Sequence, residues 1–499
     1  MTQDSLFHFD NSYSRLPERF FARLPPTPVR EPGLIALNEP LARDLGLDPE
    51  QLTTPQGIEV LAGNRVPEGA EPLAMAYAGF QFGNWVPQLG DGRAILLGEV
   101  VDRQGVRQDI QLKGSGRTPF SRGGDGRAGV GPVMREYVVS EAMACLGVPT
   151  TRSLAAVTSG EQIIREEYLA GAVLTRVAQS HIRVGTFQFF AARKDVEATR
   201  LLSDHVMARH YPATLHAEQP YLALLRAVIE RQAELIARWQ GIGFIHGVMN
   251  TDNSSIAGET IDYGPCAFID SYHPDTVYSS IDRQGRYAYR NQPAIAQWNL
   301  AGFAQTLLPL LGDDEQAAVA AANEAIESFS KHFEGFHRAS LRRKLGLQGE
   351  REGDAALVQD LLTRMADNQA DFTLTFRRLC DLTAEVSEAD ERVSELFADP
   401  KTFREWAVGY RTRVASEGRT GEEPERERRE QMRLANPAYI PRNHLVAEVI
   451  EAATESGDLQ PFRQLMQVLS SPFEEQPGQE RYAAPPRPDQ IVHETFCGT

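Results

Sequence analysis

Between Phe244 and Phe268 the chain reads FIHGVMNTDNSSIAGETIDYGPCAF, and no other stretch restricts the fold so tightly. Asn253 follows His246 by seven residues, and Asp262-Tyr263-Gly264 begins nine residues after Asn253. A helical stripe leads in: apolar residues at 221, 224, 225, 228, 229, 235, 236 and 239 share one face of a helix over Tyr221–Trp239. That helix runs into Gly241–Gly247, so its burial dictates where the polar loop emerges. Taken singly, His-Gly and Asp-Tyr-Gly are common. The bland reading is a surface loop with Asn253 as a turn residue and Asp262 as a helix cap.

The register as a whole resembles the catalytic loops of protein kinases, H-R-D-L-x-x-x-N followed by D-F-G. There the Asn and the second Asp hold Mg²⁺ on the nucleotide phosphates, and the first Asp receives the proton of the attacking hydroxyl. His246, Asn253 and Asp262 take their places on that template, whereas Val248 stands where the catalytic Asp belongs. The resemblance implies an intact metal pair and a missing base.

Upstream, Gly90-Asp91-Gly92 reads as a tight turn feeding a strand over Ala94–Val101. A second strand covers Arg107–Lys113, where Ile110 and Leu112 alternate with Asp109, Gln111 and Lys113. Period two puts Lys113 on the face opposite the aliphatics, toward a cleft if they enter a core; a solvated strand lysine is the ordinary alternative. The glycine-dense GSGRTPFSRGGDGRAGVG follows, then a helix over Val133–Leu146 with Pro132 in its first turn and Gly147 as its stop. Glu136 sits where it can meet Lys113, while Glu141 is about 140° further round the axis and is expected to face solvent. Further strands are expected at Arg152–Thr158 and Gln162–Tyr168. Arg176 and Arg183 share a face if their segment is helical, either as phosphate-binding forks or as surface arginines.

Composition narrows the function. In 499 residues two or three cores are expected, with no repeats. No apolar run approaches the ~20 residues a spanning helix needs, and no secretory leader is visible. A net charge of −17 argues against a nucleic-acid partner, and is compatible with ATP only if basic residues gather at one site. Four cysteines without C-x-x-C argue against a disulfide framework or zinc knuckle and favour the cytoplasm. Residues 418–433 are a charge run read as a solvated helix or linker, and Pro-rich residues 475–490 suggest a poorly ordered tail.

The blocks YAGFQFG and PQLGDGRA (77–94), QLKGSGRTPFSR (111–122), GDGRA (124–128), HGVMNTDN (246–253), IDYGPCAF (261–268) and NPAYIPRNH (436–444) run over most of the chain. In that order they resemble the selenoprotein O family of kinase-like proteins. The resemblance implies an α+β, protein-kinase-like fold of two lobes that binds ATP in a flipped orientation. It implies transfer of AMP to Ser, Thr or Tyr hydroxyls of proteins, with Mg²⁺ or Mn²⁺. Carried over by position, Lys113 contacts phosphates and pairs with Glu136. Gly90, Gly92, Arg93, Asp125 and Gly126 line the nucleotide, and Arg176 and Arg183 hold phosphates. Asn253 and Asp262 hold the metal, and Asp252 replaces the missing base, its plain alternative being an Asx-turn. Eukaryotic members carry selenocysteine third from the C-terminus, where this chain has Cys497, so chemistry dependent on selenium is not expected. A redox-controlled Cys266–Cys497 disulfide is weighed against two free thiols.

The organisation expected is an N-terminal extension wrapping the core (1–75), a small lobe (76–185), a helical lobe with both loops (186–475) and a tail with Cys497 (476–499). A monomer acting on protein substrates, without nucleic acid or membrane, is the expected state. Three rivals remain: a kinase transferring the γ-phosphate, an inactive nucleotide-binding scaffold, and a transferase using another nucleotide such as UTP with Mn²⁺.

Overall fold

A computed structural model describes residues 6–418 and 421–496. Its strands are β1 (Phe21–Arg23), β2 (Gly33–Leu37), β3 (Leu73–Met75), β4 (Gly79–Gln81), β5 (Asn84–Val86), β6 (Ala94–Val101) and β7 (Arg107–Lys113). They continue with β8 (Ala128–Gly129), β9 (Arg152–Ile164), β10 (Tyr168–Ala178), β11 (Phe244–Ile245) and β12 (Ala267–Phe268). Eight of them form one antiparallel sheet in the order β1-β3-β6-β7-β10-β9-β2, with β8 beside β10. The rest of the described chain is largely helical, a mixed α+β architecture.

Alternation decides what each face of this sheet carries. Ile110 and Leu112 of β7 point into a core with Leu97, Val173 and Val177, closed by Leu41, Leu52 and Leu61 from the N-terminal segment. The opposite face carries Gln111 and Lys113, and the register Gln111↔Arg176 and Lys113↔Leu174 sets Arg176 beside them. Residues 1–75 therefore supply both edge strands, β1 and β2, and the cover of the apolar face.

Several expectations shift. The helix behind the sheet runs Val130–Cys145, starting before Pro132 because Gly129, in an extended conformation, leads into it. The strands expected at 152–158 and 162–168 merge into one strand, β9, which turns at 165–167 into β10, so Arg176 lies on a strand; Arg183 precedes a helix over Val184–Ala191. Glu141 does not face solvent: it is buried, accepts from Arg152 Nη2 at 2.6 Å, and is reached by Asn38 Nδ2 of the N-terminal segment. The charge run contains a helix over Glu422–Ala435, held by buried Arg428 and Met432. Residues 475–490 are mostly exposed but are tied down by Tyr482, buried against the C-terminal helices, and beyond them Thr495 Oγ1 donates to Pro265 O at 2.7 Å. Cys497 lies outside the described residues, while Cys266 is buried.

The NPAYIPRNH block acts as a clamp. Asn443 Nδ2 donates to Phe268 O at 2.8 Å and Asn443 Oδ1 accepts from Phe268 N at 3.1 Å, fastening β12. Arg442, 1% exposed, donates from Nη1 to Asp270 at 2.7 Å and Asp371 at 2.6 Å, and from Nη2 to Ala483 O at 3.0 Å. Removing one partner of a buried charge set leaves the others uncompensated, at a cost of roughly 3–5 kcal/mol. Arg442→Met is therefore expected to lower the unfolding free energy by that order, read as a lower urea midpoint, and an unchanged midpoint would remove the clamp.

Candidate active site

The long helix Pro220–Ile242 ends at Gly243, which at φ 71° adopts the left-handed conformation that stops helices, and the chain turns directly into β11. β11 pairs antiparallel with β12, Phe244↔Phe268 and Ile245↔Ala267, so the loop after β11 and the loop before β12 leave the same end of one small hairpin. His246 ties them together. Its Nε2 donates to Ile261 O at 2.9 Å and its Nδ1 accepts from Val248 N at 3.3 Å. Fully buried, with burial lowering its pKa, this imidazole is neutral and serves as a brace.

Asp262, at φ 64°, turns its carboxylate back toward the sheet. Arg176 Nη2 donates to its Oδ1 at 2.6 Å and Arg183 Nη1 to its Oδ2 at 2.7 Å. Arg176 Nε also donates to Glu136 Oε1 at 2.5 Å, and Glu136 Oε2 accepts from Lys113 Nζ. The result is an unbroken file of alternating charge, Lys113, Glu136, Arg176, Asp262 and Arg183. Burial opposes ionisation of Asp262, but Arg176, Arg183 and Lys113 overcome it and hold the carboxyl well below the usual carboxylate range. Burial and neighbouring Arg176 pull the Lys113 ammonium down, against the attraction of Glu136.

This file forms one wall of a cleft of about 800 Å³. Lys113, Arg176, Arg183, Asp252, Asn253 and Asp262 all line it, as do Gly90, Gly92, Arg93, Asp125 and Gly126; Glu136 is buried behind the wall. Seven basic side chains and four acidic ones line the cleft, in a chain whose net charge is −17. Such a local excess of cations suits a polyanion. The glycines shape the loop above it: Gly126, at φ 70°, lies so close to Gly116 that a Cβ would fall 2.0 Å from Gly116 O. Gly90, at φ 82°, leaves room for the Phe120 ring. Asp125 is committed to Arg165, with contacts of 2.9 and 3.0 Å.

On the facing wall, Asn253 Nδ2 donates to Val248 O at 3.0 Å, which leaves its amide oxygen as the end free to ligate. Asp252 is buried; its Oδ2 accepts from Gln81 Nε2 at 3.1 Å, while its Oδ1 has no partner. Burial pushes this carboxyl up to about 6, with the Gln81 hydrogen bond opposing the rise. Among the described residues no group of three or more His, Cys, Asp or Glu is placed to hold a metal ion. Asn253 and Asp262 nonetheless offer the hard oxygen donors that Mg²⁺ or Mn²⁺ takes when phosphates and waters complete its shell.

Reading the residues alone missed Tyr77, Gln81 and Asp91. Arg183 stacks over the Tyr77 ring at 4.5 Å, and Asp91 Oδ2 accepts from Met75 N at 3.0 Å, with Arg183 Nη2 3.8 Å from its other oxygen. All three fall inside the blocks YAGFQFG and PQLGDGRA, yet no periodicity marks them, because their partners lie far along the chain.

The family profile described as protein adenylyltransferase SelO matches residues 5–470. Curated relatives named protein nucleotidyltransferase YdiU include one from Bradyrhizobium diazoefficiens, 62% identical over 493 residues, covering 99% of each chain. Another, from Rhodopseudomonas palustris strain BisB18, is 61% identical over 493 residues with the same coverage. A third, from Methylorubrum extorquens strain PA1, is 62% identical over 500 residues, covering 99% of this chain and all of the relative.

The depressed carboxyl of Asp262 couples stability to pH. A lowered folded-state pKa stabilises fully above the unfolded value near 4, and that contribution fades as pH falls below it. Arg176→Met is expected to lower the urea midpoint at pH 7 and pH 5 alike. Its deficit against the wild type should narrow by pH 3.5. A deficit independent of pH down to 3.5 would mean that packing, not charge, had been lost.

Proposed function

We propose how this chain, which belongs to the SelO family of protein adenylyltransferases, uses its cleft to transfer AMP from ATP to protein hydroxyls. ATP is the substrate, and the acceptors are Ser, Thr or Tyr side chains of proteins. The architecture is read as a protein-kinase-like pair of lobes, on the strength of the Lys113–Glu136 pair and the loops bearing Asn253 and Asp262. The corresponding division is 1–75, 76–185, 186–475 and 476–499.

In this reading Lys113, Arg176 and Arg183 hold phosphate oxygens as charge-assisted donors. Asn253 and Asp262 hold a divalent cation, Mg²⁺ or Mn²⁺, which when bound neutralises phosphate charge. Asp252 receives the proton of the acceptor hydroxyl as its oxygen bonds to the α-phosphorus and the bond to the departing pyrophosphate breaks. The observation that carries this is the unpartnered Oδ1 of Asp252, buried at the wall of a basic cleft. Its pKa near 6 suits a base at neutral pH. Val248, apolar and lining the same cleft, cannot serve.

A cytoplasmic site of action is part of the proposal, resting on cysteine usage. Among the described residues no helix is long and apolar enough to cross a membrane. Redox control through Cys266 and Cys497 is supported by the anchoring of Thr495, two residues before Cys497, on Pro265, the neighbour of Cys266. Peptide mapping under non-reducing conditions should find the 266–497 pair after oxidation; two free thiols there would end that idea.

ATP labelled at the α- or at the γ-phosphate tests the reaction. Label from the α sample alone is expected on protein, with Asp252→Asn slowed about 10²–10⁴-fold and its ATP affinity near normal. Label from the γ sample would make the protein a kinase. ATP binding with neither label transferred would make it a scaffold.

A further inference from the structure

β4 and β5 stand apart from the main sheet as a two-stranded hairpin over the cleft. Its turn is Phe82-Gly83, at φ 51° and 83°, the mirror-image geometry favoured in tight hairpins. Phenylalanine adopts a positive φ only at a steric cost, so its surroundings must hold it there. They do so: Phe82 N donates to Asn250 Oδ1 at 3.0 Å, and the Phe82 ring packs on Tyr287 with centroids 5.0 Å apart. The Tyr287 hydroxyl donates to the same Asn250 oxygen at 2.6 Å. On the other side of Gln81, Phe80 N donates to Thr251 Oγ1 at 2.7 Å.

Two backbone anchors thus bracket a single side-chain contact, the donation from Gln81 Nε2 to Asp252 Oδ2 at 3.1 Å. Gly79 completes the arrangement. A Cβ there would lie 2.5 Å from Asp252 Oδ1, so glycine keeps clear the one carboxylate oxygen that has no partner. The hairpin therefore bears on both oxygens of Asp252, its Gln81 amide on Oδ2 and its Gly79 backbone against Oδ1.

We propose that Gln81 is a positioning residue for AMP transfer: its amide, donating to Oδ2, fixes the orientation in which the Asp252 carboxylate meets the acceptor hydroxyl. This rests on Asp252 being the proton acceptor. Nothing moves through Gln81 itself. The proton passes from the acceptor oxygen to the Asp252 carboxylate while that oxygen bonds to the α-phosphorus and pyrophosphate departs. Without the amide the carboxylate is free to rotate, and transfer slows at saturating ATP while nucleotide binding is untouched.

The alternative is a hairpin that merely latches shut, in which case every anchor matters alike. Two variants separate the cases. Gln81→Met keeps the volume and removes the donor, and Thr251→Val removes the Phe80 anchor while leaving Gln81 in place. The full chain is incubated with α-labelled ATP and Mg²⁺, and label is read on the protein itself and on an added clarified bacterial extract. Gln81→Met is expected to lower the rate at saturating ATP by about ten- to a hundred-fold, a part of what a placed base supplies. Its KM for ATP should stay within about threefold and its melting temperature unchanged, while Thr251→Val loses less than about threefold. An unimpaired Gln81→Met overturns the positioning role, as does a parallel loss in both variants. A wild type that transfers no α-label removes the function reading and this proposal with it; an active wild type with an active Gln81→Met removes the positioning role alone.

Discussion

The file of charges from Lys113 through Glu136, Arg176 and Asp262 to Arg183 is what the rest of the structure is arranged around. Its members come from β7, the helix behind the sheet, β10, the loop before β12 and the turn after β10. A buried charge is expensive unless paired and hydrogen-bonded, and each partner here is paired on both sides or opens on the cleft. The file thus forces the sheet and the two loops into one relation. Its ends and its arginines remain available to an anion, so the element that fixes the architecture also prepares the site.

That arrangement explains why the chain termini are so involved. The charged face of β7 and β10 must be closed off from the aliphatic face, and the helices before β3 supply the cover with Leu41, Leu52 and Leu61. At the other end, Leu445, Val449 and Phe462 pack on Val133 and Val138 of the helix that carries Glu136. Arg442 and Asn443 meanwhile hold the strand that follows Asp262. The blocks at 77–94 and 436–444 lie far from the loops in sequence, yet both bear on the placement of Asp252 or Asp262.

Where local chemistry decided structure, the sequence was readable. β6 and β7 begin and end where alternation and glycine turns place them, and Lys113 faces the cleft as period two requires. Of the register His246, Asn253 and Asp262, the last two reach one cleft while His246 braces the loops behind it. Reading failed where partners are remote. Glu141 looked solvated because its helix gives no sign of Asn38 or Arg152, its partners from other segments. Arg176 and Arg183 meet Asp262, but not as helix neighbours: the apolar run GAVLTRVA fits a strand buried on both faces as well as a helix, and only the pairing of β10 with β7 and β9 decides. Gln81 was invisible for the same reason, since its value lies wholly in Asp252.

In the proposed reaction a base at 252 in place of one at 248 is workable because such chemistry asks little of its base. Charge neutralisation and in-line placement supply most of the rate in phosphoryl-group chemistry, and a base adds about 10²–10⁴-fold. A wall of arginines with a metal pair therefore tolerates relocation of the base, provided that the new one is held still. Position 252 sits on a single 3-10 turn, Thr251–Asn253, and its carboxylate takes one side-chain hydrogen bond, from Gln81. The Gln81 amide, carried on a hairpin tied to the two residues before Asp252, Asn250 through Phe82 N and Thr251 through Phe80 N, supplies the missing rigidity. The strained Phe82 and the side-chain-free Gly79 are the cost of bringing a strap so close to a working carboxylate without blocking it.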